Sequence, residues 1–177
     1  MSKSQWSRLS YLLISAGALV LDRVTKWQVQ QRLELHDSIT VIPKFFRVIH
    51  LENPGAAFGL FADAPTPLKL GILITLSIVA LVLVSILLWR SSRSLSSSSV
   101  GLALILGGAV GNLWDRLLHH RVTDFLLFYY HQHEWPAFNL ADSAIVVGAA
   151  LLVFDLIFPR AQEEKPTLEA GATQSAP

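Results

Sequence analysis

The chain has 177 residues, of which 52% are hydrophobic and 15% charged, with a net charge of +1 and no cysteine. That apolar share exceeds what a soluble domain of this length carries, so residence in a membrane is the simplest reading. Near-neutral charge leaves no basic field for nucleic acid, and the missing thiols exclude disulfides, cysteine nucleophiles and thiolate metal sites together.

The first element to emerge is an apolar run from Leu9 to Leu21 behind Lys3 and Arg8. Its Ala16-Gly17-Ala18 resembles a secretory cleavage site, but Leu19, Val20 and Leu21 continue the run, so a retained span is expected. A helix needs about 20 mostly apolar residues to cross the hydrocarbon core. Residues 9–27 meet that length only by taking Asp22, Arg23 and Lys26 into the span, where charge is costly unless paired or hydrated.

Beyond it, Ser38 to Ile42 and Phe46 to Leu51 read as short strands broken at Pro43. Gly55 to Phe61 reads as a short interfacial helix anchored by Phe58, Leu60 and Phe61, so residues 36–64 are expected to form a cradle at the membrane surface. Three further spans follow at Leu68 to Trp89, Val100 to Leu118 and Phe138 to Phe158, with a Ser-rich hinge from Ser91 to Ser99. Residues 161–177 read as a polar tail with no reason to pack.

The expected fold is thus an all-α membrane protein of four transmembrane helices, one domain over residues 1–160, with a small extramembrane β-structure. Four spans place both termini on one side. Lys3, Arg8, Arg90, Arg93, Arg160 and Lys165 mark that side as cytoplasmic, against a weaker set of Arg32, Lys44, Arg47 and Arg121 opposite.

Most of the unusual polar residues then fall on the other face. Asp22 and Lys26 close the first span, Asn53 lies in the first loop, Asn112 and Arg116 close the third, Asp124 follows, and Asn139 and Asp142 open the fourth. Asp22 and Lys26 stand in the favourable i, i+4 order, as a structural ion pair or as support for a site. Asn112 and Arg116 share a helical face, and an Arg at the lipid boundary requires acceptors that nearby acids provide. Gly107, Gly108 and Gly111 read as close helix packing.

Asp142 lies at the positive end of the fourth helix, which favours its charge, whereas Asp124 is flanked by Phe125, Leu126 and Leu127, which disfavour it. If the two meet, they share one proton. That is the requirement of aspartic proteolysis, in which one carboxylate takes a proton from water and its partner polarises the carbonyl. Taken singly, each acid also has a plain reading: a helix cap for Asp142, a turn acid for Asp124. Asp115 beside Arg116, Asp155, Asp63 and Glu134 read as structural. His119, His120, His131 and His133 match no ordered ligand spacing, so neither metal nor cofactor is expected.

Several motifs in order resemble the lipoprotein signal peptidases, bacterial type II signal peptidases that are intramembrane aspartic proteases. They are Leu21-Asp22-Arg23-Val24-Thr25-Lys26, Asn53-Pro54-Gly55-Ala56-Ala57-Phe58, Gly107-Gly108-Ala109-Val110-Gly111-Asn112, Asp115-Arg116, Val122-Thr123-Asp124-Phe125 and Phe138-Asn139-Leu140-Ala141-Asp142. The resemblance implies that Asp124 and Asp142 are the catalytic dyad. It implies Asn53, Gly108, Asn112, Arg116 and Asn139 around the cleft, with Asp22 and Lys26 in support. It further implies the partners, a diacylglyceryl-modified prolipoprotein and membrane lipid, with cleavage before the lipidated cysteine near the periplasmic face of the inner membrane. Thr123 stands where the family often has an aliphatic residue, and His120 where it commonly has glycine.

Two other functions compete. A proton-coupled transporter would need polar partners through the depth of the bilayer, and the middles of these spans offer few. A membrane scaffold acting through the first loop leaves the ordered polar set without a purpose.

Overall fold

The structure, a computed structural model, describes residues 3–55, 66–91 and 96–158. Its helices are α1 (Lys3–Arg32), α2 (Thr66–Ser91), α3 (Ser97–His119) and α4 (Leu140–Ile157). Among the described residues, α2, α3 and α4 are long and apolar enough to cross a membrane. α2 turns Leu76, Val79, Val82, Leu83, Ile86 and Leu87 outward. In water such a face is an aggregation liability; lipid satisfies it. α1 continues beyond the expected 9–27 at both ends, to 30 residues or about 45 Å.

α3 is the central helix and packs against the other three. Small residues make this possible. A Cβ on Gly101 would stand 2.6 Å from the Gly148 carbonyl oxygen, and one on Gly148 would stand 2.5 Å from that of Gly101, so α3 and α4 meet backbone to backbone. Polar stitches mark the same contacts: Ser15 Oγ donates to Ala103 O at 2.8 Å, and Asp155 on α4 accepts from Ser98 N at 2.7 Å. Asp155 thereby satisfies a donor at the start of α3, the structural role expected of it.

The loops between α1 and α2 and between α3 and α4 build an antiparallel sheet in the order β1-β2-β3-β4. Its strands are β1 (Ser38–Ile42), β2 (Phe46–Asn53), β3 (Val122–Tyr130) and β4 (His133–Glu134). β1 and β2 follow the alternation read from the sequence, and Lys44, at φ +64°, turns the chain between them. β3 is a correction. The segment around Asp124 forms a strand rather than a turn, because Phe125, Leu126, Leu127 and Phe128 are an apolar run whose lack of alternation hides strand character.

β2 and β3 pair Val48 with Leu126 but Leu51 with Asp124, a register shift of one residue marking a bulge in β2. Beyond it, Asn53 and Asp124 share a face as diagonal neighbours. Phe128 packs against Phe45, Phe46 and Phe138, with ring centroids 5.2, 5.0 and 5.9 Å away. Of the expected interfacial helix only Gly55 is among the described residues; the hinge is described only at Ser91 and from Ser96, and the tail lies outside them.

Candidate active site

Two devices bring Asp124 and Asp142 to one place. The chain ahead of α4 is sewn to β3: Phe138 O accepts from Phe125 N at 3.0 Å and Leu126 N at 2.8 Å, and Phe138 N donates to Leu126 O at 3.1 Å. The next residue, Asn139, then starts α4. Its Oδ1 accepts from Asp142 N at 3.0 Å, and its backbone N–H donates to Asp142 Oδ2 at 3.2 Å, a capping box. The capping role weighed for Asp142 is therefore real, and it occupies only one carboxylate oxygen.

Each of the four carboxylate oxygens receives a donor. Asn139 Nδ2 reaches Asp124 Oδ1 at 2.8 Å and Asn53 Nδ2 reaches Asp124 Oδ2 at 3.0 Å. Asn112 Nδ2 reaches Asp142 Oδ1 at 2.8 Å, opposite the Asn139 backbone on Oδ2. Asp124 is 2% exposed. Burial pushes its carboxyl up to about 6; the amides of Asn53 and Asn139 pull it down, and the charge of Asp142 adds to the rise.

Both acids line a cavity of about 560 Å³ together with Asn53, Asn112, Arg116 and Ser143. Its remaining wall is mostly apolar, from Val122, Trp135, Phe138, Ile145, Val146 and Val147. Val146 and Val147 are also exposed on the outer face of α4, so the cavity opens beside that face. The Arg116 guanidinium donates to Asn112 O at 3.3 Å.

The supporting residues divide. Asp22 and Lys26 pair at 2.8 Å and are wholly buried behind the cavity. Asp115, read as a local partner of Arg116, instead binds Lys26 at 2.8 Å and pairs with Arg23. Asp22 Oδ1 also accepts from Ala141 N at 3.0 Å, tying α1 to the first turn of α4. Gly108 does not line the cavity. A Cβ there would collide with the Ala141 carbonyl oxygen, so it serves the α3–α4 contact beneath the site. The sequence reading missed Trp135 and Ser143, and neither carries a local signal of a site.

The sequence matches the profile of the signal peptidase (SPase) II family over residues 14–158. The chain belongs to the signal peptidase II family. It is 44% identical over 149 residues to a lipoprotein signal peptidase of Solibacter usitatus, covering 84% of this chain and 91% of that one. Against a lipoprotein signal peptidase of Neisseria meningitidis it is 42% identical over 166 residues, covering 93% and 99%. Two solved structures described as bacterial membrane enzymes superpose with TM-scores of 0.76 and 0.69, at 26% and 27% identity. The first match covers 88% of this chain and 93% of the other, the second 84% and 92%. Signal peptidase II membership makes the chain a membrane peptidase, and the acid-lined cavity is its candidate active site.

Proposed function

We propose that this signal peptidase II is an aspartic endopeptidase that uses Asp124 and Asp142 to remove the signal peptide of diacylglyceryl-modified prolipoproteins. The observation that carries the reading is the pair of carboxylates lining one cavity, each held by amide donors. Such donors orient the oxygens while leaving the pair free to share a proton.

Asp124, the more desolvated carboxyl, holds the proton and donates it as a hydrogen bond to the scissile carbonyl. Asp142 accepts a proton from water as the water oxygen bonds to the carbonyl carbon. Collapse of the tetrahedral intermediate breaks the C–N bond, and the amine leaves with a proton returned by the pair. Water is thus divided between the new carboxyl and the new amine. Arg116, beside both acids, binds a backbone carbonyl of the peptide and neutralises part of the site's negative charge.

The same reading extends to topology. α1 forms a fourth span, its buried charges matched by Asp115. Both termini face the cytoplasm and the cavity lies near the periplasmic face of the inner membrane. The apolar wall at Ile145, Val146 and Val147 lets the substrate's acyl chains stay in lipid while the peptide enters. Cleavage assays with the purified protein test the substrate. A diacylglyceryl-modified prolipoprotein is expected to be cut before its lipidated cysteine and the unmodified precursor left intact; equal cleavage of both would refute the lipid requirement.

A further inference from the structure

Each of the three asparagines around the acids is anchored through its side-chain carbonyl. For Asn53 and Asn139 the anchor is a backbone N–H, of Gly55 at 2.9 Å and of Asp142 at 3.0 Å. Asn112 is different: its Oδ1 accepts from Lys26 Nζ at 3.1 Å and from Asn139 Nδ2 at 3.2 Å. A primary amide can turn end for end, and turning would set Oδ1 against Asp142 Oδ1, acceptor against acceptor. A lysine ammonium only donates, so it accepts one orientation alone.

We infer that Lys26 is a positioning residue, whose ammonium locks the Asn112 amide with Nδ2 on Asp142 and so holds that carboxylate in its reactive hydrogen-bonded state. The inference rests on the dyad reading above. Lysine suits the place because its compact ammonium ion-pairs with Asp22 Oδ2 and Asp115 Oδ2, each at 2.8 Å, while it donates its hydrogen bond to Asn112 Oδ1. A planar guanidinium has five donors in a fixed fork and cannot reproduce that set. Room is also short, since a Cβ on Gly111 would stand 2.7 Å from Asp22 Oδ2.

The competing role is neutralisation: Lys26 could serve only to balance Asp22 and Asp115. The two roles separate in Lys26→Met combined with Asp22→Asn. This variant removes one charge of each sign and leaves Asp115 paired with Arg23. The charged groups facing the dyad are then Arg116 from α3, with Asp115 and Arg23 behind it. From β2 comes the amide of Asn53, while Glu52 is tied to Arg121 at 2.7 Å.

Kinetics on lipidated prolipoprotein across pH, with the full chain in lipid, test the proposal. The double variant is expected to keep KM within about twofold and lose roughly tenfold or more in kcat, the effect of a lost hydrogen bond to a charged group. Wild-type kcat in the double variant would overturn the proposal. Should the double variant fail to fold, Asn-selective ¹⁵N labelling of the wild-type protein reads the same point. One side-chain amide proton of Asn112 shifted far downfield and protected from exchange is expected, and a freely rotating, solvent-like amide would contradict it. That spectrum does not depend on turnover, so it stands apart from failure of the wild-type protein to cleave lipidated substrate, which would sink the functional reading instead.

Discussion

The side-chain amide of Asn139 donates to Asp124 Oδ1 at 2.8 Å while its carbonyl accepts from Asp142 N at 3.0 Å, so the residue that caps α4 also grips the acid on β3. Capping and grip can be separated by substitution. Asn139→Ala is expected to lose both, costing about 1 kcal/mol of stability and a few degrees in Tm along with activity. Asn139→Ser retains a cap oxygen but no amide donor. It is expected to recover the Tm without recovering kcat, and thermal melts run beside cleavage assays check this.

Burial places the folded pKa of Asp124 at about 6, above its ordinary 3.8. Between those values the folded chain holds more protons than the unfolded one. The contribution of Asp124 to stability is therefore greatest below 3.8 and declines as pH rises through about 6. Asp124→Asn is expected to flatten that slope in Tm measured against pH. In kinetics, the proposed dyad is expected to lose its shared proton as pH rises and so to give a falling basic limb in kcat/KM. Asn53→Ala removes a donor from the Asp124 carboxylate, so the limb is expected to move upward; a downward shift would contradict the geometry.

His120 caps α3 in the left-handed conformation, at φ +59°. A side chain there costs about 1–2 kcal/mol that glycine does not incur, which is a physical reason for the glycine that the resemblance leads one to expect at this place. His120→Gly is expected to raise the Tm by about 2–4 °C with kcat unchanged, the wider backbone freedom of unfolded glycine offsetting part of the gain.

How far these relationships could be read from the sequence varies with their range. α2, α3 and α4 were legible because lipid-facing helices show as long apolar runs, and the i, i+4 pairing of Asp22 with Lys26 is a local rule. β3 was not legible, since a buried strand such as Phe125 to Phe128 has no alternation to distinguish it from a helix segment. The partner of Asp115 was misread for a related reason. Proximity in sequence favoured Arg116, whereas α3 turns the carboxylate toward Arg23 and Lys26, some ninety residues away along the chain. Gly108 was legible as a packing glycine from the small residues Gly107, Gly108 and Gly111, and only the resemblance set it around the cleft; its close approach to the Ala141 carbonyl oxygen agrees with the packing reading.

Asp124 and Asp142 are proposed to act as one unit on the peptide bond. Single-turnover cleavage of a diacylglyceryl-modified prolipoprotein by Asp124→Asn and Asp142→Asn, each verified as folded and substrate-binding in lipid, tests it most directly. Both variants are expected to bind substrate and to lose turnover by about a thousandfold or more, because each removes a proton-transfer partner. Turnover near the wild-type rate in either one would contradict the dyad.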